Sequence, residues 1–228
     1  RSRRQRQMCI RDSGKIAAFA KGARRPNSHL IGVTRPFIFG TFEVYRGRDS
    51  YTIQKANVTN YFEELVSDLD GVLYGYYFAE LAEYYGRENL DAADMINLLY
   101  VAFKALVNKS LPNELVRYIY EIRLIAVNGE CPDFFSCAGC GSEKELQLYS
   151  YKENGMYCVE CAASSGDGIV LQSSTLYTLQ YIITAPLTKL FNFVVKADVL
   201  NELKKVVNRI EFITFDKHFK SKEMLDIG

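Results

Sequence analysis

Residues 137–161 read CAGCGSEKELQLYSYKENGMYCVEC, two Cys-x-x-Cys pairs with 17 residues between them. Each pair makes a tight turn that aims two sulfurs inward, and tetrahedral zinc takes four thiolates at about 2.3 Å. Gly139 and Gly141 permit the close backbone of the first turn. Between the pairs, residues 146–152 and 156–157 flank Asn154-Gly155, a strong hairpin signal. The spacing therefore predicts a zinc ribbon holding one structural ion on Cys137, Cys140, Cys158 and Cys161. Two disulfides are the competing reading, and they require an oxidising compartment that no secretory signal supports. Four thiolates close the shell and leave no position for a catalytic water. Glu160 lacks the His-x-Glu half of a zinc deaminase. Cys131 and Cys9 stand outside the pattern.

Upstream of the cysteines, residues 60–127 carry helical periodicity. Phe62, Leu65, Leu69, Val72/Leu73 and Tyr76 form one predicted stripe, and Ile96, Leu99, Phe103 and Leu106 a second. Asp91 is the expected N-cap of the second helix. Pro112 opens a third, striped by Leu115, Ile119, Ile122 and Ile125/Ala126. The tyrosines at 74, 76, 77, 84 and 85 read as packing residues. Downstream, a helix from Ser174 carries Leu176, Leu179 and Ile182/Ile183 and stops before Pro186. Asp198 caps a last one, with Leu200, Leu203, Val206/Val207 and Ile210.

The N-terminal part reads as β, with strands expected at residues 15–20, 36–45 and 51–56. In the second, Ile38, Phe42 and Val44 alternate with Phe39, Thr41, Glu43 and Tyr45. Residues 46–50, RGRDS, suit a hairpin turn, and residues 22–35 a basic loop; short strands so joined suit a small barrel. Residues 1–13, RSRRQRQMCIRDS, show no apolar periodicity and are set aside as a foreign or disordered tail, a natural basic tail being the alternative.

The 228 residues suit one large domain or two to three small ones, and 48% hydrophobic content suits a packed core. The net charge of +1 conceals a polarity. Residues 14–35 hold Lys15, Lys21, Arg24, Arg25 and Arg35 with no acid, and residues 1–13 add five arginines against Asp12. Beyond Arg35, 18 Lys and Arg face 26 Asp and Glu. Such a field suits a polyanion at the N-terminal end. Lys21, Arg24 and Arg25 on a Gly/Pro-shaped loop match a phosphate backbone, with Phe19, Phe39 and Tyr45 as stacking candidates; a merely solvated basic loop is the other reading. No apolar run approaches the roughly 18 residues of a membrane span, and the expected location is cytoplasmic. No phosphate-loop motif occurs, since Gly14-Lys15 is followed by Ile16, and two histidines, His29 and His218, leave little for a catalytic triad. Acidic pairs such as Glu63/Glu64 fall on polar helix sides. The expectation is a protein that is not an enzyme.

Residues 14–28, GKIAAFAKGARRPNS, resemble a strand and basic loop of the bacterial RecO family of recombination mediators. Residues 131–161, residues 171–193 with their APLTKLF segment, and residues 216–224, DKHFKSKEM, resemble it too. The resemblance implies an α+β fold: an N-terminal OB-fold-like small barrel at 14–58, then a helical domain at 59–228 carrying a zinc ribbon at 131–165. It implies binding of single- and double-stranded DNA, strand annealing and, with RecR, loading of RecA onto DNA coated by single-strand-binding protein (SSB), whose acidic C-terminal tail such proteins also bind. Action would place the protein at the nucleoid. The DNA-contacting positions carried over are Lys21, Arg24 and Arg25, with Lys15 and Arg35 beside them, and the tail pocket is expected in the helical C-terminal region. The family has one or two strands upstream of the position of Gly14, where this chain has residues 1–13, so the barrel is expected to be incomplete with an unpaired edge. The competing function is a zinc-ribbon scaffold for protein–protein contact in which DNA binding is incidental.

Overall fold

The computed structural model describes residues 4–10, 14–23, 25, 27, 28, 30–48, 50–163 and 166–227. Strands β1 (Arg4–Ile10) and β2 (Gly14–Ala20) pair antiparallel in unbroken register, from Arg4 opposite Ala20 to Ile10 opposite Gly14. A short helix, α1 (Leu30–Val33), leads to the antiparallel pair β3 (Phe39–Arg46) and β4 (Tyr51–Asn60). β4 also runs parallel to β2, which gives the order β1-β2-β4-β3. Alternate residues of β2 point into a core of Ile16, Ala18 and Ala20 with Ala23, Leu30 and Ile53, and Phe42 and Val44 of β3 close it. The alternation expected for β3 is therefore the one observed for Phe42 and Val44, and Phe39, expected on the opposite face, packs against Phe62, Tyr100 and Phe103 beyond a register shift at Phe39/Gly40.

Four expectations for this region are corrected. Residues 4–10 are a paired strand rather than a tail, because an edge strand needs only alternate apolar residues and Met8 and Ile10 pack on the β2 core. The edge of β2 expected to be bare is thereby covered. The strand placed at 36–45 starts at Phe39, since Phe37 takes φ 61° and buries itself against Tyr76 and Phe103. The basic loop also contains α1, whose start is capped where Ser28 Oγ accepts from the Leu30 N–H at 3.2 Å.

Helices α2 (Glu63–Ser67), α3 (Leu69–Tyr85) and α4 (Ala93–Asn108) follow. The single stripe predicted from Phe62 to Tyr76 breaks at Asp68, which ends α2 and caps α3 by accepting from the Gly71 N–H at 3.2 Å. The helical phase restarts there: Leu69 is 81% exposed, and α3 instead buries Tyr77, Phe78, Leu81 and Ala82. Asp91 caps α4 as expected, accepting from the Ala93 N–H at 2.8 Å.

Helix α5 (Asn113–Val127) starts directly after Pro112 and buries ten residues, too many for one stripe, so it is covered on several sides. Strands β5 (Leu146–Ser150) and β6 (Gly155–Cys158), helix α6 (Val159–Ala162) and strand β7 (Ile169–Val170) follow, in a sheet ordered β6-β5-β7. Helices α7 (Ser173–Thr184) and α8 (Ala197–Thr214) pack on α5 and on each other. Within this packing Arg117 is buried, its Nε 2.7 Å from Glu121 and its Nη2 3.6 Å from Glu211. The last helix, α9 (Lys220–Ile227), returns to α3: the Ser221 N–H donates to Glu80 at 3.0 Å, and Phe219 meets Tyr77 and Tyr84 edge-on.

The fold is α+β, in two compact units, Arg1–Asn108 with Phe219–Gly228 and Lys109–His218. Within the first unit an aromatic cluster of Phe37, Phe39, Phe62, Tyr100 and Phe103 joins the sheet to α2 and α4. No helix among the described residues is long and apolar enough to cross a membrane.

Candidate metal centre and nucleic-acid interface

Local hydrogen bonding delivers each cysteine. The Cys137 N–H donates to Ser142 O and the Gly141 N–H returns to Cys137 O, both at 2.8 Å, closing a turn around Cys140 with Gly141 at φ 74°. The Ala138 N–H bonds Met156 O at 2.7 Å, which fastens this turn to β6. Cys158 ends β6 and opens α6, and α6 carries Cys161. The four sulfurs lie within 4.8 Å of one another, and Cys140 and Cys158 are 3.8 Å apart. Four sulfurs about 2.3 Å from a central ion stand roughly 3.8 Å from each other, so the set fits a tetrahedral metal site. Gly139 lies in close approach to the site: a Cβ there would sit 3.1 Å from the Tyr157 ring and 3.2 Å from the Cys161 sulfur, so those side chains would have to give way.

Burial by itself would raise the Cys137 thiol, but N–H groups of Cys158, Cys140 and Gly139 outweigh it and hold the thiol down to about 6. Those of Cys158 and Gly139 lie 3.3 and 3.4 Å from the sulfur. Cys161 is pushed up to about 12 by its contacts with the thiols of Cys140 and Cys158. Four thiolates so close together repel, and a bound cation is what allows all four to ionise. Cys131, whose thiol burial pushes up to about 12, is not part of the group, and neither is Cys9 in β1. Among the described residues this is the one set of His, Cys, Asp or Glu placed to hold a metal ion.

The basic candidates separate. Lys21 and Arg25 are both exposed on consecutive turns between β2 and α1, where the Arg25 N–H bonds Gly22 O at 2.9 Å and Gly22 takes φ 81°. Arg35 is exposed beyond α1. Lys15 is half-buried and turned toward α3, its Nζ donating to Glu83 O at 3.1 Å and lying 3.9 Å from the Glu83 carboxylate. Arg24 and His29 lie outside the described residues. Of the stacking candidates, Tyr45 is 59% exposed, whereas Phe39 belongs to the aromatic cluster. The β3–β4 turn adds exposed Arg46 and Arg48, which the sequence reading used only as turn residues. Their signal was present in the Arg-Gly-Arg spacing of that turn.

Residues 66–223 match the family model described as recombination protein O C terminal, and residues 8–62 that described as recombination protein O N terminal. The chain belongs to the RecO family. It is 30% identical over 220 residues to the DNA repair protein RecO of Acetivibrio thermocellus, covering 94% of this chain and 86% of that protein. To the DNA repair protein RecO of Bacillus subtilis it is 26% identical over 219 residues, covering 96% and 86%. The RecO N-terminal match starts at residue 8, inside β1, so the RecO likeness extends into the strand that the sequence reading set aside.

Proposed function

We propose that this RecO-family protein is a DNA-repair protein of the RecFOR type that works as a mediator without catalysis. It binds single- and double-stranded DNA, anneals complementary strands and, with RecR, helps load RecA onto SSB-coated DNA. The observation that carries this reading is the exposed Lys21/Arg25 turn that follows β2 of the first sheet, in a chain that matches RecO along both of its parts. The first sheet serves as an OB-like platform, and Lys21, Arg24, Arg25 and Arg35 face phosphates; Lys15, engaged with Glu83, supports the strand behind them. Each cation that meets a phosphate releases condensed counterions, which supplies affinity without sequence preference. That is the requirement for a protein acting on any broken or gapped DNA.

Zinc is the ion proposed for Cys137, Cys140, Cys158 and Cys161, because four thiolates at tetrahedral spacing match its preference. When bound, it supplies structure only, its shell being closed. RecR and the SSB tail are the chain's protein partners in this proposal. The test is annealing of SSB-coated complementary strands by the wild type and by K21A/R24A/R25A. The expected result is at least a tenfold slower rate in the variant with an unchanged unfolding midpoint. An unchanged rate would favour a scaffold whose DNA binding is incidental.

A further inference from the structure

The second unit carries a cation–aromatic surface that the proposed function does not use. On α8, Lys205, Asn208, Arg209 and Phe212 are spaced i, i+3, i+4 and i+7 and so share one face. Phe212 is 78% exposed and contributes almost nothing to the core. Arg209, by contrast, is fixed in place. Its Nη2 and Nε donate to the Tyr151 carbonyl at 2.7 and 3.3 Å, and its guanidinium carbon lies 5.5 Å from the Phe212 ring centre and 5.7 Å from that of Tyr151. Tyr151 opens the turn between β5 and β6, and Lys152 beside it has a side chain 78% exposed. The pairing of Lys152 with Glu153, 3.5 Å away on the surface, is of the kind that contributes little.

This geometry suits a planar, anionic ligand. A ring standing in solvent beside a guanidinium that is already oriented offers one flat surface for a base, and flanking lysines offer charge for its phosphates. An apolar peptide end would need a concave pocket, and a ring so exposed stands proud of its surroundings. We infer that this face of α8 and the β5–β6 turn is a second contact for single-stranded nucleic acid, with Phe212 stacking on a base and Arg209, Lys205 and Lys152 meeting phosphates. The inference rests on the proposed function only for the class of ligand, because its residues belong to the other unit. It also gives the cysteine group a role in binding, since Tyr151 sits on the hairpin whose second strand ends at Cys158.

The test uses the full chain and an oligothymidylate carrying one 2-aminopurine, whose fluorescence is quenched on stacking against an aromatic ring. Wild type, F212A, F212W and K21A/R25A are titrated, with urea unfolding as the control for folding. F212A should lose the quench and weaken binding at least about fivefold, the lower range for one base–aromatic stack. F212W should restore both. K21A/R25A should bind more weakly yet show the full quench at saturating protein. If F212A binds and quenches as wild type while K21A/R25A loses affinity, the inference is overturned and the proposed function stands. If F212A loses binding while K21A/R25A is unaffected, the inference stands and the basic turn is not the DNA site. Should F212A leave DNA binding intact but abolish capture of an acidic peptide with an apolar end, the occupant is a protein and the inference fails.

Discussion

The two sheets of this molecule are held together differently. In the first, strands of seven to ten residues line a shared apolar core of Ile16, Ala18, Ala20, Leu30 and Ile53, and β1 and β3 flank the inner pair. In the second, strands of five, four and two residues bury Tyr149 and Met156, and β6 ends at Cys158, one of four clustered thiols. A sheet that short is marginal by itself. The first region therefore carries its stability in side-chain packing, whereas the second leans on its helices and on four thiols placed to hold the metal ion proposed above. The proposed metal ion is the difference most open to attack.

Chelation should have the largest effect. Structural zinc contributes on the order of 10–16 kcal/mol in small modules, so the chelated protein, or C158A, should lose hydrogen-exchange protection in β5, β6 and β7 while β1 to β4 keep theirs. Equal protection in both sheets after chelation would erase the contrast. Next comes Gly14→Ala, aimed at the first sheet alone. Gly14 takes φ 64°, and a Cβ would lie 1.7 Å from Arg87 O, so a loss of about 3 kcal/mol is expected in urea unfolding. A neutral result would mean that β2 is not locked against the end of α3 as described.

A pH series sharpens the contrast further. Burial first, and Glu211 second, push the Glu121 carboxyl up to about 8 against the opposing pull of Arg117. A carboxyl whose folded value is raised binds its proton more tightly in the folded state. Its stabilising contribution is whole below the ordinary carboxylate range and is lost as pH rises toward 8. Relative to Glu121→Gln, the wild type should lose up to about 1 kcal/mol per pH unit between roughly pH 5 and 8. Parallel pH curves for the two proteins would remove Glu121 from the account. The smallest effect on stability belongs to K21A/R25A, within about 0.5 kcal/mol of wild type, since both side chains are exposed.

These contrasts also explain what could be read from the sequence. The cysteine group was legible because ligand spacing is a local property, and all four residues meet. The α5 stripe was legible because Leu115, Ile119, Ile122 and Ile125 recur at helical spacing and are buried. β1 was not, since five of its seven residues are Arg, Gln or Cys and its placement comes from pairing with β2. The engagement of Lys15 by Glu83, 68 residues away, leaves no local trace. Arg117 and Glu121 have the i, i+4 spacing of an ordinary surface pair, and only the packing of α8 shows that they are buried around a shared charge. Likewise Leu69 fits an apolar stripe until Asp68 restarts the helix beneath it.

The central claim is that exposed cations between β2 and α1 bind DNA through its phosphates. Its most direct test is fluorescence anisotropy of single-stranded DNA at several salt concentrations, for the wild type and K21A/R24A/R25A. If about four phosphates are neutralised, the wild type should show a log–log salt slope near roughly −3, and the variant should lose about two units of it. The same steep slope in both proteins would contradict the claim and move the DNA site away from this turn.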